Sequence, residues 1–268
     1  MGRRHDWTAG AASLLVAVSC RLWAQSAAPA PAAPGRVIAL PDADRQELEK
    51  YLGAATIGEP IPAPLIDDPA AWYGLKAGTW IGRTHRGKPY RRVLTGRGSD
   101  KYGTNWVCRA GTEKIFYLRG TADGHAVESP STVNLEHAVV SRFSPAEPQA
   151  IAGMKPGAQE VMVLHVKVYD LSHPTDLEHE GALRLTFSYL GAYRVTVPAG
   201  AYDAVLLKWH YRGQIGPASI EESVYRFYAR DVGPVAFVEF DNISACLIYS
   251  SHSKTGIVLT GFKGAAAP

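Results

Sequence analysis

The sequence has little cysteine and methionine, little net charge and no long apolar run in its mature part. Three cysteines, three methionines and a net charge of +3 occur in 268 residues. Lysine and arginine form no dense cluster interleaved with aromatic residues, so binding to nucleic acid is not indicated. After the N-terminal region, no apolar run approaches the ~18 residues that a membrane-spanning helix requires. We therefore expect neither nucleic acid as a partner nor a transmembrane span.

Motifs of several common enzyme classes are also missing. The chain contains no HExxH zinc motif and no GxSxG nucleophile turn, and Gly96-Arg97-Gly98 lacks the third glycine of a dinucleotide-binding loop. The densest polar cluster, which holds His173, Asp176 and His179, matches no compact metal-site spacing and is better explained as a solvated loop. We predict no metal site and no cofactor.

The N-terminus has the pattern of an export signal. Residues 1–4 are MGRR, and Ala9–Ser19 is an apolar run of the length found in signal peptides. The small residue Ala24 predicts a signal peptide over residues 1–24. Ala17–Cys20 resembles a bacterial lipobox, so a lipid anchor on Cys20 is the alternative. The expected location is the periplasm or the medium outside the cell.

The remaining chain is expected to begin with non-β segments. An Ala/Pro-rich linker covers residues 25–40. Residues 41–74 should form a short helix, ending at Gly53 and capped by Asp42 or Asp44, and then a proline-rich extended segment.

Residues 75–262 have the alternation of β-strands, and a tail covers residues 263–268. Aromatic and β-branched runs are separated by short turns such as Arg86–Pro89 and Ala110–Thr112, with no helical period between them. Residues 126–156 are rich in proline and are predicted to be a long irregular loop. The pattern predicts an all-β fold, a curved antiparallel meander sheet that forms a half or closed barrel, with a short N-terminal helix.

The stretch Tyr193–Gly213, YRVTVPAGAYDAVLLKWHYRG, predicts a hairpin. Pro198 cannot donate to a strand ladder and marks the end of a strand, and Gly200 can adopt the positive φ of a tight corner. Asp203 is expected to accept backbone hydrogen bonds at the turn.

Val197–Ala204 and Phe227–Val235 resemble two motifs of exported bacterial proteins of the DUF3108 family, V-P-A-G-x-(F/Y)-(D/E)-A and (F/Y)-A-x-x-V-G-x-V. The resemblance covers about the last third of the chain. It implies a strongly curved antiparallel sheet or half barrel, similar to periplasmic lipoprotein carriers that shelter acyl chains. The family is largely uncharacterised and supplies no catalytic residues.

Aromatic residues on the last strands are the candidate ligand-binding group. Side chains at alternating positions normally fill a core, but one concave face of a half barrel would line a groove. The candidates are Trp209, Tyr211, Tyr225, Phe227, Phe237 and Phe240. Glu221, Glu222 and Glu239 are expected to face water or to pair with Arg226 or Lys208 on neighbouring strands.

Two cysteines remain in the mature chain, Cys108 and Cys246. An even number in an oxidising compartment allows one disulfide bond between them, and two buried thiols are the alternative.

Three functions fit these observations. The favoured one is an exported, envelope-associated protein that binds a hydrophobic or lipid-like ligand or another envelope component. The others are a scaffold or interaction protein, with an envelope protein as its partner, and a hydrolase that acts on an envelope or extracellular polymer. Enzymatic activity is left open, and a non-enzymatic role is favoured. A large dry cavity would favour the ligand-binding function. An exposed apolar patch would favour the scaffold function. A cleft with paired carboxylates would favour the hydrolase.

Intact-mass measurement of the protein purified from the cell envelope tests the N-terminal prediction. Cleavage after Ala24 should give a chain that begins at Gln25. A chain that begins at an acylated Cys20 would instead establish the lipid anchor, and an uncleaved chain would contradict both.

Overall fold

The computed structural model describes residues 35–245 and 249–264. The predicted signal peptide, including Cys20 and Ala24, lies outside the described residues, as does Cys246. Among the described residues, no helix is both long enough and apolar enough to cross a membrane.

Two helices and thirteen strands form within the described ranges. The helices are α1 (Asp42–Leu52) and α2 (Pro69–Tyr73). The strands are β1 (Ile57–Ile61), β2 (Gly78–Thr84), β3 (Pro89–Asp100), β4 (Gly103–Ala110), β5 (Lys114–Thr121), β6 (Ala126–Asn134), β7 (Val139–Ile151), β8 (Gln159–Asp170), β9 (Leu177–Val197), β10 (Gly200–Ile215), β11 (Ala218–Ala229), β12 (Gly233–Ala245) and β13 (Tyr249–Gly264).

The strands from β2 to β13 form a closed antiparallel barrel. Each strand pairs with the next in the sequence, and β13 pairs with β2, where Phe262 lies opposite Trp80. The prediction of an all-β antiparallel meander with a short N-terminal helix is confirmed. Of the two predicted alternatives, a half barrel and a closed barrel, the structure has the closed barrel.

Strand β9 is long enough to pair with two different strands along one of its edges. Its first part pairs with β8, with Ser188 opposite Gln159, and its last part pairs with β1, with Val195 opposite Ile57. Strand β10 pairs along the full opposite edge. The N-terminal segment is therefore joined to the barrel by strand pairing.

Helix α1 covers part of the outer face of the barrel. Leu48 is buried, and Tyr51 contacts Phe240 edge to face with ring centroids 5.4 Å apart. Because α1 and β1 cover this region, strands β9 to β12 bury apolar side chains on both faces. This double burial explains their nearly continuous hydrophobic sequences.

Three local predictions for the N-terminal segment and the hairpin are corrected. Pro41 occupies the N-cap of α1 without a side-chain hydrogen bond, so neither Asp42 nor Asp44 caps it. The segment expected to be extended contains α2, where the Asp68 side chain accepts hydrogen bonds from two backbone N–H groups. Asp203 lies on β10 and accepts a 2.8 Å hydrogen bond from Arg194 on β9 instead of capping the turn.

The predicted loop over residues 126–156 is wrong, because it contains β6 and β7. Two of its prolines, Pro130 and Pro145, lie where the ladders are interrupted. Pro130 lies at a register shift between β6 and β7, and Pro145 follows Ser144, the last residue of β7 that pairs with β8. Proline is tolerated at such positions because no ladder hydrogen bond is required of it.

The contact between α1 and the barrel gives a stability prediction. Leu48→Ala should lower the free energy of unfolding by about 2–5 kcal/mol, because it removes a buried side chain and leaves a cavity. Urea unfolding followed by fluorescence measures the change. Gln46→Ala, at an exposed position of the same helix, is the control and should be nearly neutral; equal effects would show that α1 contributes little packing.

Candidate functional site

The six candidate aromatic residues lie on two opposite faces of the barrel wall. Trp209 lies opposite Val224, whereas Tyr225 lies opposite Lys208, so Trp209 and Tyr225 face opposite ways. Residues directly opposite each other in an antiparallel pair share a face. By this register, Trp209, Tyr211 and Phe237 face the interior, and Tyr225, Phe227 and Phe240 face outward.

The outward-facing group is covered by the protein itself. Phe240 contacts both Tyr51 of α1 and Tyr225, the latter with ring centroids 6.0 Å apart. Phe227 is buried and contacts Tyr193 of β9. Packing against α1 and neighbouring strands accounts for the aromatic residues at positions 225, 227 and 240. The six candidate aromatic residues therefore do not share one surface. Their role in ligand binding stays a prediction.

A buried polar network surrounds the interior aromatics. The Tyr211 hydroxyl donates to Glu147 Oε1 at 2.5 Å, and Gln149 Nε2 donates to the same oxygen at 2.9 Å. The indole N–H of Trp209 donates to the carbonyl oxygen of Pro148 at 2.7 Å. Burial raises the pKa of Glu147, and the hydrogen bonds from Tyr211 and Gln149 oppose this shift. The network links β7 to β10 across the interior.

Arg226 extends this network. Its Nη1 donates to Gln149 Oε1 at 2.8 Å, and its guanidinium lies 4.9 Å from the centroid of a Trp209 ring. Arg226 therefore donates this hydrogen bond to a neutral amide on β7, whereas the sequence suggested a pairing with a glutamate on a neighbouring strand.

An acidic group lies further along the interior face of β11 and β12. Carboxylate oxygens of Glu222, Glu239 and Asp241 lie within 4.8 Å of one another, and all three side chains are half-buried. Lys114 of β5 reaches across the barrel and donates to Glu239 Oε1 at 2.5 Å. Sequence reasoning missed Lys114, because it is 125 residues away from Glu239 and no local pattern connects them.

The three carboxyl groups are electrostatically different. Burial and the neighbouring Glu239 and Asp241 raise the pKa of Glu222 well above its ordinary value of 4.5. Burial acts in the same direction on Glu239, but the attraction and hydrogen bond of Lys114, the attraction of Arg226 and a hydrogen bond with Glu222 together outweigh it and lower the pKa. Burial and Glu239 raise the pKa of Asp241. Separated pKa values within a carboxylate group are a feature of acid–base sites. Carboxylate oxygens are also the ligands that Ca²⁺ and Mg²⁺ prefer. Here, however, the ammonium group of Lys114 already neutralises part of the negative charge that such a cation would bind.

The void found in the barrel wall is too small for an organic ligand. It lies between β2, β3, β12 and β13, has a volume of about 20 Å³ and is lined mainly by apolar side chains together with Arg92. A site of this size holds about one water molecule. Aromatic and aliphatic side chains of the main core pack around it.

A larger hollow lies on strands β3 to β6 and measures about 380 Å³. Its lining is Arg97, Asn105, Trp106, Val107, Arg109, Ile115, Tyr117, Leu118 and Pro130. Val107 lies opposite Tyr117, and the alternate residues Cys108 and Phe116 pack in the main core. The Val107 side of β4 therefore faces outward. Val107 and Ile115 are buried in a second apolar cluster that is separate from the main core.

The predicted disulfide cannot be placed within the described residues. Cys108 is buried on the interior face of β4 and forms no disulfide bond within this part of the chain. Its proposed partner, Cys246, lies outside the described residues, so the bond stays a prediction.

The molecule is thus an all-β barrel protein whose main core is built from aromatic and aliphatic side chains. No protein-family model and no curated protein matches the chain, so the resemblance to the DUF3108 family has no support from a family model.

Several solved structures are similar to this chain, and two of them are described here. One is the hypothetical lipoprotein YmcC from Escherichia coli, with 12% identity and a TM-score of 0.39, where the match covers 72% of this chain and 89% of that chain. The other is a protein with a YmcC-like fold from Bacteroides fragilis, with 13% identity and a TM-score of 0.39, where the match covers 75% of this chain and 99% of that chain. Neither likeness is close enough to transfer a function.

The raised pKa of Glu222 gives a pH prediction. A carboxyl group whose pKa is raised on folding contributes stability below its unfolded pKa, and that stability is lost as pH rises toward its folded pKa. Glu222→Gln should therefore gain stability relative to the unchanged protein as pH rises above 4.5. Thermal unfolding midpoints of both proteins across this range measure the difference.

Glu178→Gln is the control for this measurement, because Glu178 is exposed and belongs to no ion pair within the described residues. This replacement changes an exposed side chain, so it should alter the unfolding midpoint little. A difference for Glu222→Gln that stays constant with pH would contradict the electrostatic assignment.

Proposed function

We propose that the protein is exported and binds an amphiphilic, negatively charged component of the cell envelope in the hollow on β3 to β6. The observation that carries this proposal is the size and chemistry of the hollow. Its volume of about 380 Å³ falls within the range of about 300–1,000 Å³ typical of ligand sites.

The lining of the hollow suits a molecule with an apolar body and an anionic group. Val107 and Ile115 provide an apolar floor, and the Tyr117 side chain remains 42% exposed. Burying apolar ligand surface against them would contribute about 25 cal/mol per Å². Arg97 and Arg109 are exposed and line the same hollow, where their guanidinium groups can bind a phosphate or a carboxylate.

Export is proposed from the N-terminal sequence. The basic start, the apolar run Ala9–Ser19 and the small residue Ala24 have the pattern of a signal peptide. An exported protein meets anionic lipids and other charged amphiphiles in the cell envelope, which is the ligand class that the hollow suits.

Charge reversal at the hollow tests the proposal. The double variant Arg97→Glu and Arg109→Glu should reduce binding of dodecyl phosphate at least tenfold, because two favourable charge interactions become repulsive. Isothermal titration calorimetry measures binding, and dodecylphosphocholine serves as a comparison ligand without net charge. Native mass spectrometry of protein from the cell envelope, followed by lipid extraction, identifies any ligand that co-purifies.

Arg83→Glu and Arg86→Glu provide the matched control. Arg83 lies on β2 and Arg86 in the turn that follows it; both are exposed and neither lines the hollow, but their replacement changes the net charge equally. The control should retain binding. Equal losses in both double variants would indicate a general charge effect, and no binding by the unchanged protein would refute the proposal.

A second candidate function, hydrolysis of an envelope or extracellular polymer, rests on the acidic group. Glu222 and Glu239 are neighbouring carboxyl groups whose pKa values are shifted in opposite directions, which suits a general acid and a general base. Turnover of a polysaccharide panel that is lost in Glu222→Gln would support this function, and an inactive unchanged protein across the panel would argue against it.

A further inference from the structure

Arg92 places a guanidinium group inside the barrel wall. It lies on β3 opposite Trp80 and Ala110, and the residue is only 6% exposed. Its Cζ atom lies 4.8 Å from the ring centroid of Trp80 and 4.8 Å from that of Tyr73 on α2. The guanidinium thus contacts two aromatic rings, which supply attraction to a cation but no negative charge.

The described residues do not satisfy this guanidinium. Nη1 and Nη2 are both buried and have no hydrogen-bond partner among them, and no described carboxylate forms an ion pair with Arg92. A buried charge is costly unless it is paired and hydrogen-bonded, and arginine cannot lose its proton to escape that cost. The arrangement calls for a negatively charged partner.

The surroundings of Arg92 contain excess positive charge. The Tyr73 ring, which contacts Arg92, lies 5.8 Å from the ring of Tyr228 and so places the Tyr228 hydroxyl group in the same part of the interior. That hydroxyl is also buried without a hydrogen-bond partner among the described residues. Arg226 bonds to the neutral Gln149, while Glu147 accepts from Tyr211 and Gln149. Among the described residues, Glu147 and Gln149 are thus engaged with other groups, and neither bonds to Arg92.

The void beside Arg92 limits what can bind. Its volume of about 20 Å³ and its apolar lining, which includes Phe237 and Ile257, leave no room for a phosphate ester or an organic acid. We propose that Arg92 binds a small inorganic anion of about the size of chloride in this void, through the buried Nη1 and Nη2 atoms. This site is separate from the hollow on β3 to β6 and does not depend on the function proposed for it.

Thermal unfolding in different sodium salts tests the site. A ligand that binds only the folded protein raises the unfolding midpoint as its concentration rises. At equal ionic strength, sodium chloride should raise the midpoint more than sodium gluconate, whose anion is too large for the void. The chloride-specific increase should disappear in Arg92→Met and persist in Arg91→Met, which removes an exposed arginine from the neighbouring position. Equal midpoints of the unchanged protein in the two salts would overturn the proposal.

Because Arg92→Met could fail to fold, crystals of the unchanged protein soaked in sodium bromide give a second test. Bromide should produce an anomalous difference peak within hydrogen-bonding distance of Arg92 Nη1 or Nη2. A water molecule at that position with no anomalous peak would overturn the proposal, and so would bromide found only at exposed side chains.

Discussion

The pairing of β9 with three other strands holds the two parts of the structure together. Its first half completes the barrel against β8, its second half binds β1, and β10 follows its whole opposite edge. The strand must remain extended over Leu177–Val197 for all three ladders to form. Because backbone hydrogen bonds fix register, this strand also sets where α1 and β1 lie on the outer face.

The covering of the outer face by α1 and β1 changes what the aromatic residues do. In a barrel open to solvent on the outside, Tyr225, Phe227 and Phe240 would be exposed. Here they pack under the N-terminal segment, while Trp209 and its neighbours fill the interior. Both faces of this part of the barrel wall are therefore packed against protein, and a ligand-sized hollow lies on strands β3 to β6.

The sequence predicted local structure well and long-range structure poorly. Alternating residues and turn glycines identified the antiparallel meander and the hairpin around Pro198, because these depend on residues close in sequence. The pattern could not decide between half and closed barrels, since closure depends on the pairing of Trp80 with Phe262. Residues 126–156 were predicted to be a loop because they are rich in proline. They form strands β6 and β7, since strand ladders tolerate proline where the ladder is interrupted.

The site residues were harder to predict for the same reason. Strand alternation shows which residues share a face of one strand, but not which face becomes the interior when both are apolar. The contact between Lys114 and Glu239 joins opposite walls of the barrel. The burial of Arg92 between Tyr73 and Trp80 depends on α2, whose five residues lie in a segment that proline content suggested was extended.

Closure of the barrel has a consequence for self-association. A sheet edge with unpaired backbone groups can recruit strands from other molecules, and each strand from β2 to β13 has neighbours on both sides. Within the described residues, β1 has β9 as its only partner strand. Strand β1 is five residues long and contains Glu59 and Pro60, a charge and a residue without an amide hydrogen. Such an edge is a poor template for strand addition, so the fold resists edge-to-edge aggregation.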